Sequence, residues 1–191
     1  MRGAGYDAPV PLRRDQLDPD LSGALSTQSY GGGTSIEGLR VVQLTEHVDE
    51  SGSLVELARL GSAAELVGLE GFTVRQANWS RVASGAIKAW HLHLKQDDLW
   101  FVPPWARLLA GLHDARRDSP TSGLTQRMVL GAGRAQLVRV PSGVAHGVAN
   151  LWDQDADLIY LVDQAFDPAD PDEHRLPWDH LGADFWTLKK G

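Results

Sequence analysis

The stretch GAIKAWHLHLKQDD, residues 85–98, concentrates side chains that can transfer protons or bind metal ions. Within it, His91 and His93 are one residue apart, so both would project from the same face of a β-strand. A third histidine, His146, follows in PSGVAHGVAN, residues 141–150. Imidazoles in this arrangement can serve proton transfer or metal binding, or can simply line a pocket, and residue types alone leave these readings open.

The elements that must position these histidines are short, strand-like runs that recur along the chain between turn signals. This pattern predicts an all-β sandwich or barrel. The runs are LRVVQL, SLVELA, FTVRQANW, AIKAWHLHL, LWFV, ARLLAGLH, QRMVLG, AQLVRV, GVAHGVANL and DLIYLVD. One short helix is predicted at SAAELVGLE, with Ser62 as its N-cap. The proline-rich, acidic tail DPADPDEHRLPWDHLGADFW is predicted to be a loop with one helical turn.

Residues 1–35 differ from the rest of the chain. They begin with a segment of mixed charge and proline and end in the Gly/Ser/Thr-rich stretch SGALSTQSYGGGTS. We interpret them as a flexible leader or docking arm, followed by a single domain over residues 36–191. The net charge of −7 argues against nucleic-acid and membrane-surface partners. The absence of cysteine excludes disulfides and thiolate sites. No apolar run has membrane-spanning length, and the N-terminus lacks a signal-peptide core, which predicts a cytoplasmic protein.

The histidines lie in two motifs with a recognisable spacing. Gly85 precedes His91 by six positions and His93 by eight, and the second motif reads P-x-G-x-x-H-x-x-x-N through residues 141–150. Together, in this order, the motifs resemble those of the cupins, which implies a double-stranded β-helix, or jelly roll, with a pocket in the barrel. In a metal-dependent cupin, such as a dioxygenase, the ligands would be His91, His93, His146 and either Asp97 or Asp98.

Around these motifs, residues 36–186 resemble the dTDP-4-dehydrorhamnose 3,5-epimerase family. The matching segments are DESGSLVE, QANWS, KAWH, DARRDSPTSG, PSGVAHGV, LIYL and WDHLGADFW. The resemblance implies an enzyme without metal or cofactor that acts on a nucleotide-linked 4-keto-6-deoxy sugar. A base removes the proton at C3 or C5 next to the ketone, and an acid on the opposite face returns one.

The resemblance implies that His91 is the base and Tyr160 the acid. Tyr160 is also the one tyrosine outside the leader, since the other two are Tyr6 and Tyr30. Lys88 stands where the family has an arginine for the diphosphate, although on a flat strand it would face away from His91, so that a twist or bulge is required. Further substrate contacts are implied for Glu56, Gln76, Asn78, His93 and His146. The family also implies a homodimer.

Several family positions differ in this chain. Ser51 replaces an arginine, Leu99 aligns with the lysine that steadies the enolate, and Phe166 replaces a second tyrosine. The aspartate that orients the base is expected beyond the tail and therefore to be missing. These differences favour a slower or single-centre enzyme. Two other hypotheses stay open: the metal-dependent cupin, and a homologue that binds a sugar nucleotide without catalysis.

Overall fold

The computed structural model describes residues 11–27 and 34–189. The chain divides into two compact units, Met1–Thr34 and Ser35–Gly191, close to the predicted boundary. In the first unit, Arg14–Gln16 form a 3-10 turn and Pro19–Ala24 a short helix, α1, capped by the Asp18 carboxylate. Residues 1–10 and 28–33 of the predicted leader lie outside the described residues, so the flexibility of the leader stays a prediction. No helix among the described residues is long and apolar enough to cross a membrane.

The second unit is almost entirely β-structure, which confirms the predicted all-β class. Its strands are β1 Arg40–Gln43, β2 Glu46–Asp49, β3 Gly52–Val55, β4 Gln76–Val82, β5 Ile87–Leu92, β6 Asp98–Phe101, β7 Arg107–Asp114, β8 Thr125–Gly131, β9 Gln136–Val140, β10 Val144–Ala149, β11 Ala156–Val162 and β12 His174–Arg175. These twelve strands of the described residues form two five-stranded antiparallel sheets, ordered β1-β9-β6-β11-β4 and β12-β5-β10-β7-β8, and a hairpin, β2-β3. A 3-10 turn at Ala183–Trp186 supplies the helical turn predicted for the tail.

The two sheets pack face to face as a jelly roll. Successive side chains along a strand point alternately to the space between the sheets and to the outer face, and both environments are apolar. On β6, Trp100 packs into the cluster between the sheets, whereas Leu99 and Phe101 pack into a second cluster on the outer face. The outer cluster is covered by the segment between β3 and β4, through Leu66 and Phe72. Strand β6 is therefore buried on both faces, and its polar inner side chains must find partners inside the barrel.

The helix predicted at residues 62–70 is wrong. This segment makes turns and two isolated bridges, Leu60 to Leu66 and Glu65 to Thr73. The physical reason is tertiary: Leu66, Leu69 and Phe72 are buried together against the first sheet. Burying all three against one face of the sheet outweighs the modest helix propensity of the segment.

The motif DARRDSPTSG proves to be structural. The buried Asp114 carboxylate accepts hydrogen bonds from the Arg116 guanidinium at 2.8 Å, the Ser119 hydroxyl at 2.6 Å and the Thr121 hydroxyl at 2.7 Å. Arg116 also donates to the Glu37 carbonyl, which fastens the start of the domain to this loop. The Arg116 guanidinium holds the pKa of Asp114 well below its usual range, so the carboxylate stays charged and fully paired.

Candidate active site

A cavity of about 480 Å³ opens between the two sheets. Strands β4, β5, β6, β10 and β11 line it, together with the segment that follows β11. Seven of the eight residues predicted for catalysis or substrate binding lie on its wall: Gln76, Asn78, Lys88, His91, His93, His146 and Tyr160. The barrel thus brings together groups that are up to 84 residues apart in the chain, as the distance from Gln76 to Tyr160 shows.

One wall is formed by β4 and β11. Tyr160 is paired with Asn78 across these strands and with Trp100 on β6. The side-chain amide of Gln76 donates to the Asn78 side chain at 2.8 Å, and the side-chain oxygen of Gln76 accepts from the Phe166 backbone amide at 3.0 Å. Burial raises the pKa of Tyr160, helped by nearby carboxylates, so its phenol keeps its proton at neutral pH and can donate it.

The opposite wall is formed by β5 and β10. His91 is the register partner of His146, and their rings are stacked with centroids 6.1 Å apart. The predicted irregularity is present: Lys88 pairs with Val148, so three steps on β5 match two on β10. This bulge turns Lys88 to the cavity side, where its ammonium donates to the Ser80 hydroxyl and the Arg81 carbonyl at 2.8 and 2.7 Å.

The carboxylate that orients His91 is present, which corrects the prediction that it is missing. Glu173 lies beside the two-residue strand β12, and its Oε1 atom is 2.6 Å from His91 Nδ1. Glu173 also pairs with Arg175 at 3.0 Å. With Nδ1 held by the carboxylate, the Nε2 atom of His91 is the nitrogen free to take a proton.

The protonation of His91 reflects two opposing influences. Burial lowers its pKa, and the hydrogen bond and charge of Glu173 act in the opposite direction without cancelling that effect. The imidazole is therefore neutral at pH 7, as a general base must be. The neighbouring carboxylate will stabilise the imidazolium once the proton has been taken.

His93, Asp98 and His146 form a second group, which we call the His2Asp cluster. All three are buried, and their ligand atoms lie within 4.8 Å of one another. His93 Nε2 is 3.8 Å and His146 Nε2 is 3.6 Å from the Asp98 carboxylate. Burial lowers the pKa of His146. This group contains three of the four ligands expected in a metal-dependent cupin. The fourth, His91, is hydrogen-bonded to Glu173 instead.

Three interpretations from the sequence need correction. Asp97 is not a candidate ligand, because its carboxylate pairs with Arg139 at 2.7 Å and accepts from the Ser142 amide. Leu99 does not occupy an enolate-stabilising position, because strand alternation turns it into the outer cluster. Glu56 lies outside the cavity within this chain, exposed and paired with Arg59 at 2.8 Å.

The segment after β11 contributes more than the sequence indicated. The Asp172 carboxylate accepts from the backbone amides of Leu94, Lys95 and Gln96, at 2.7–3.0 Å. The backbone carbonyl of Asp172 contacts His93 Nδ1. This fixes the turn between β5 and β6, and with it the orientation of the His93 ring. Sequence reasoning missed Asp172 and Glu173 because a two-residue strand shows no alternation. The one available signal was an acidic run in a tail otherwise interpreted as loop.

The family model for dTDP-4-dehydrorhamnose 3,5-epimerase matches residues 33–187. This chain belongs to that family. The predicted resemblance is thereby confirmed, and the chain is an enzyme of the type that epimerises nucleotide-linked sugars. The unmatched residues are confined to the region interpreted as a leader and to the last few positions.

Curated relatives and a solved structure agree with this assignment. Spore coat polysaccharide biosynthesis protein SpsL of Bacillus subtilis is 40% identical over 144 residues, 75% of this chain and 91% of SpsL. The probable low-salt glycan biosynthesis epimerase Agl13 of Haloferax volcanii is 32% identical, over 76% of this chain and 90% of Agl13. The epimerase RmlC of Legionella pneumophila, solved with dTDP-4-keto-L-rhamnose, superposes with a TM-score of 0.67 at 26% identity, covering 82% of each chain.

Proposed function

We propose that the protein inverts C3, C5 or both in a nucleotide-linked 4-keto-6-deoxy sugar, by removing and returning a proton. The observation that carries this proposal is the pairing of His91 with Glu173 in the cavity that also contains Tyr160. A neutral, oriented imidazole and a protonated phenol are the base and acid that such an inversion needs. They belong to different sheets, on β5 and β11, so they can approach a bound ring from different sides.

In the first step, His91 takes the proton from the carbon next to the ketone. The hydrogen bond to Glu173 keeps the ring in the required tautomer and stabilises the imidazolium product. The electron pair of the broken C–H bond moves into an enolate. Removing the proton without such a carboxylate would leave a positive charge in a partly buried site, which is costly.

In the second step, Tyr160 gives its proton to the other face of the same carbon. Its raised pKa keeps the phenol protonated until the enolate forms. Phe166 lines the same cavity, where the family resemblance implies a second tyrosine. Because phenylalanine has no proton to donate, we expect one centre to be inverted faster than the other.

Substrate binding uses the polar side chains around these two residues. Lys88 provides a positive charge at the cavity wall for a diphosphate, with Ser80 and the Arg81 carbonyl fixing its ammonium. Gln76 and Asn78 offer amide groups to sugar or base hydroxyl and carbonyl groups. We also propose a homodimer, as the family resemblance implies, and a cytoplasmic location.

The test is incubation of the protein with a dTDP-4-keto-6-deoxyhexose in D₂O, followed by NMR at C3 and C5. We expect deuterium to enter at one or both carbons. His91→Ala should abolish exchange, whereas Tyr160→Phe should block inversion more than exchange, each by about 10²–10⁴-fold. His47→Ala changes an exposed histidine of β2 outside the cavity and should leave exchange intact.

Two outcomes would contradict the proposal. Exchange that persists in His91→Ala would show that another group is the base. Binding of several 4-keto sugar nucleotides without exchange at either carbon would show a binding protein rather than an epimerase.

A further inference from the structure

The His2Asp cluster presents hydrogen-bond acceptors to the cavity. Relative exposure is 6% for His93 and 4% for both Asp98 and His146, so the three groups are withdrawn from bulk water. All three line the cavity, yet none of the reaction steps proposed above uses them. A buried acceptor without a donor costs free energy, so a substrate that fills the cavity must supply the donor.

Hydrogen bonds on the far side of each ring determine which nitrogen faces the cluster. His146 Nδ1 contacts the Val144 carbonyl at 2.9 Å, and His93 Nδ1 contacts the Asp172 carbonyl. A carbonyl oxygen only accepts, so each Nδ1 carries a proton. Burial lowers the pKa of His146, which keeps its ring neutral near pH 7. In a neutral imidazole of this tautomer, the Nε2 atom presents a bare lone pair to the cavity.

The Asp98 carboxylate is held by two donors and can accept from more. Gln96 donates to its Oδ1 atom at 2.8 Å, and the Trp100 indole donates to its Oδ2 atom at 3.0 Å. The two rings do not complete it, because His93 Nε2 is 3.8 Å from Oδ1 and His146 Nε2 is 3.6 Å from Oδ2, both beyond hydrogen-bond distance. In the described part of the chain, no side chain donates to either Nε2 atom.

These acceptors exclude the ketone of the substrate from this wall of the cavity. A ketone oxygen has no proton to donate, and the enolate oxygen that replaces it would be repelled by the charge of Asp98. The family resemblance implies a lysine for that oxygen, but Leu99 faces the outer cluster and Asp98 is its inward-facing neighbour on β6. The group of the sugar that meets this wall is therefore a hydrogen-bond donor.

The two carbons next to the ketone differ in what they can donate. C3 of a 4-keto-6-deoxyhexose carries a hydroxyl group, whereas C5 carries a methyl group and the ring oxygen. We propose that the His2Asp cluster binds the C3 hydroxyl group and thereby makes C3 the preferred centre of epimerisation, an inference that rests on the proposed function. With C5 at His91 instead, the methyl group or the ring oxygen would face three acceptors and leave them without a donor.

The distance between the base and the cluster suits two contacts from one carbon. The ring centroids of His91 and His146 are 6.1 Å apart. A reacting carbon lies about 3–3.5 Å from its base, and a hydroxyl oxygen about 2.7 Å from its acceptor. The hydrogen of C3 can therefore meet His91 while its hydroxyl group meets the cluster. Tyr160 belongs to the other sheet, from which it can return a proton to the opposite face of C3.

The first test compares the two carbons within one molecule. Full-length protein is incubated with dTDP-4-keto-6-deoxyglucose in D₂O, and NMR gives the initial rates of deuterium entry at C3 and C5. We expect entry at C3 to be faster by about tenfold or more, the contribution of one hydrogen bond to a charged group. Asp98→Asn keeps the size of the side chain and removes its charge, so it should slow exchange at C3 about 10- to 150-fold and exchange at C5 less than about threefold.

The second test measures binding without turnover, in His91→Ala. Calorimetry should show that the 3-deoxy analogue of this ketone binds about 10- to 150-fold more weakly than the parent. Adding Asp98→Asn should bring the two affinities within about threefold of each other, a coupling that a general loss of structure does not produce.

The matched control is Asp153→Asn, the same chemical change at an exposed residue outside the cavity, which should leave both exchange rates unchanged. Circular dichroism verifies that each variant is folded. Exchange at C5 as fast as at C3, or equal slowing of both carbons in Asp98→Asn, would overturn the preference for C3 and leave the epimerase function standing. Equal binding of the parent and the 3-deoxy ligand would overturn the hydroxyl contact. No exchange at either carbon would refute the epimerase function, while weaker binding of the 3-deoxy ligand would still support the hydroxyl contact.

Discussion

Replacing Glu173 by glutamine tests the centre of the proposed mechanism. Glutamine is nearly the same size and can still accept a hydrogen bond from His91 Nδ1, so the substitution removes the charge and little else. In the unmodified protein the carboxylate is 2.6 Å from that nitrogen. We expect kcat/KM for deuterium exchange to fall, because the imidazolium that forms during proton removal loses its stabilising partner.

The size of the effect follows from the contact. A hydrogen bond to a charged group contributes about 1.5–3 kcal/mol. Glu173 is 36% exposed, so water partly screens the pair, and the lower part of this range applies. Since about 1.4 kcal/mol corresponds to a factor of ten in rate, a loss of about 1.5–2 kcal/mol should lower kcat/KM about 10- to 30-fold. Glu173→Ala, which also removes the acceptor atom, should cost more.

The pH profile gives a second readout that a purely structural role would not move. His91 acts when neutral, and its pKa lies below the ordinary 6.5, so activity should be constant near pH 7 and fall on the acidic side. The charge of Glu173 raises this pKa. Its removal must lower the pKa further, so the acidic limb of the kcat/KM profile should move to lower pH while the plateau falls.

The control is Glu70→Gln, the same chemical change at an exposed glutamate outside the cavity, which should leave both readouts unchanged. An acidic limb that stays in place or moves to higher pH in Glu173→Gln would refute the assignment of Glu173 as the partner of the base. A rate unchanged within twofold would refute its contribution to the reaction.

Three further predictions concern stability, binding and assembly. Asp114→Asn should lower the free energy of unfolding in urea by about 2–4 kcal/mol, because it leaves the half-buried Arg116 unpaired, while Asp118→Asn on the exposed part of the same loop should not. The folded-state pKa of Asp114 is depressed, so its contribution is present above the ordinary value of 3.8 and is lost as the pH falls below it; Asp114→Asn should therefore weaken the acid dependence of stability. Lys88→Ala should raise KM for the sugar nucleotide about tenfold with little change in kcat, and Lys189→Ala should change neither; a loss confined to kcat would contradict a binding role. Light scattering of the full chain should give the mass of a dimer, and a monomer mass at micromolar concentration would exclude the proposed homodimer.

Sequence patterns predicted the features that depend on local alternation and on motifs. All ten predicted strand-like runs overlap strands of the structure, because alternating side chains report which face is buried. His91, His93 and His146 meet in one cavity as their motifs implied, and the bulge required for Lys88 is present. The helix at 62–70 failed because its apolar residues were needed on a sheet face, which propensity does not encode.

What the sequence by itself determined is the family and the jelly roll, since these follow from motifs at fixed spacings, and the base and acid candidates are what the family resemblance implies. What only the tertiary structure decided is which groups touch. The alternation of side chains along β6 places Asp98 inside the barrel and Leu99 outside it. The ion pair with Arg139 holds the Asp97 carboxylate away from the cavity. The partner of His91 comes from Glu173, 82 residues later, through a two-residue strand. No local pattern specifies such a contact, because it depends on how the chain closes across the sheet edge.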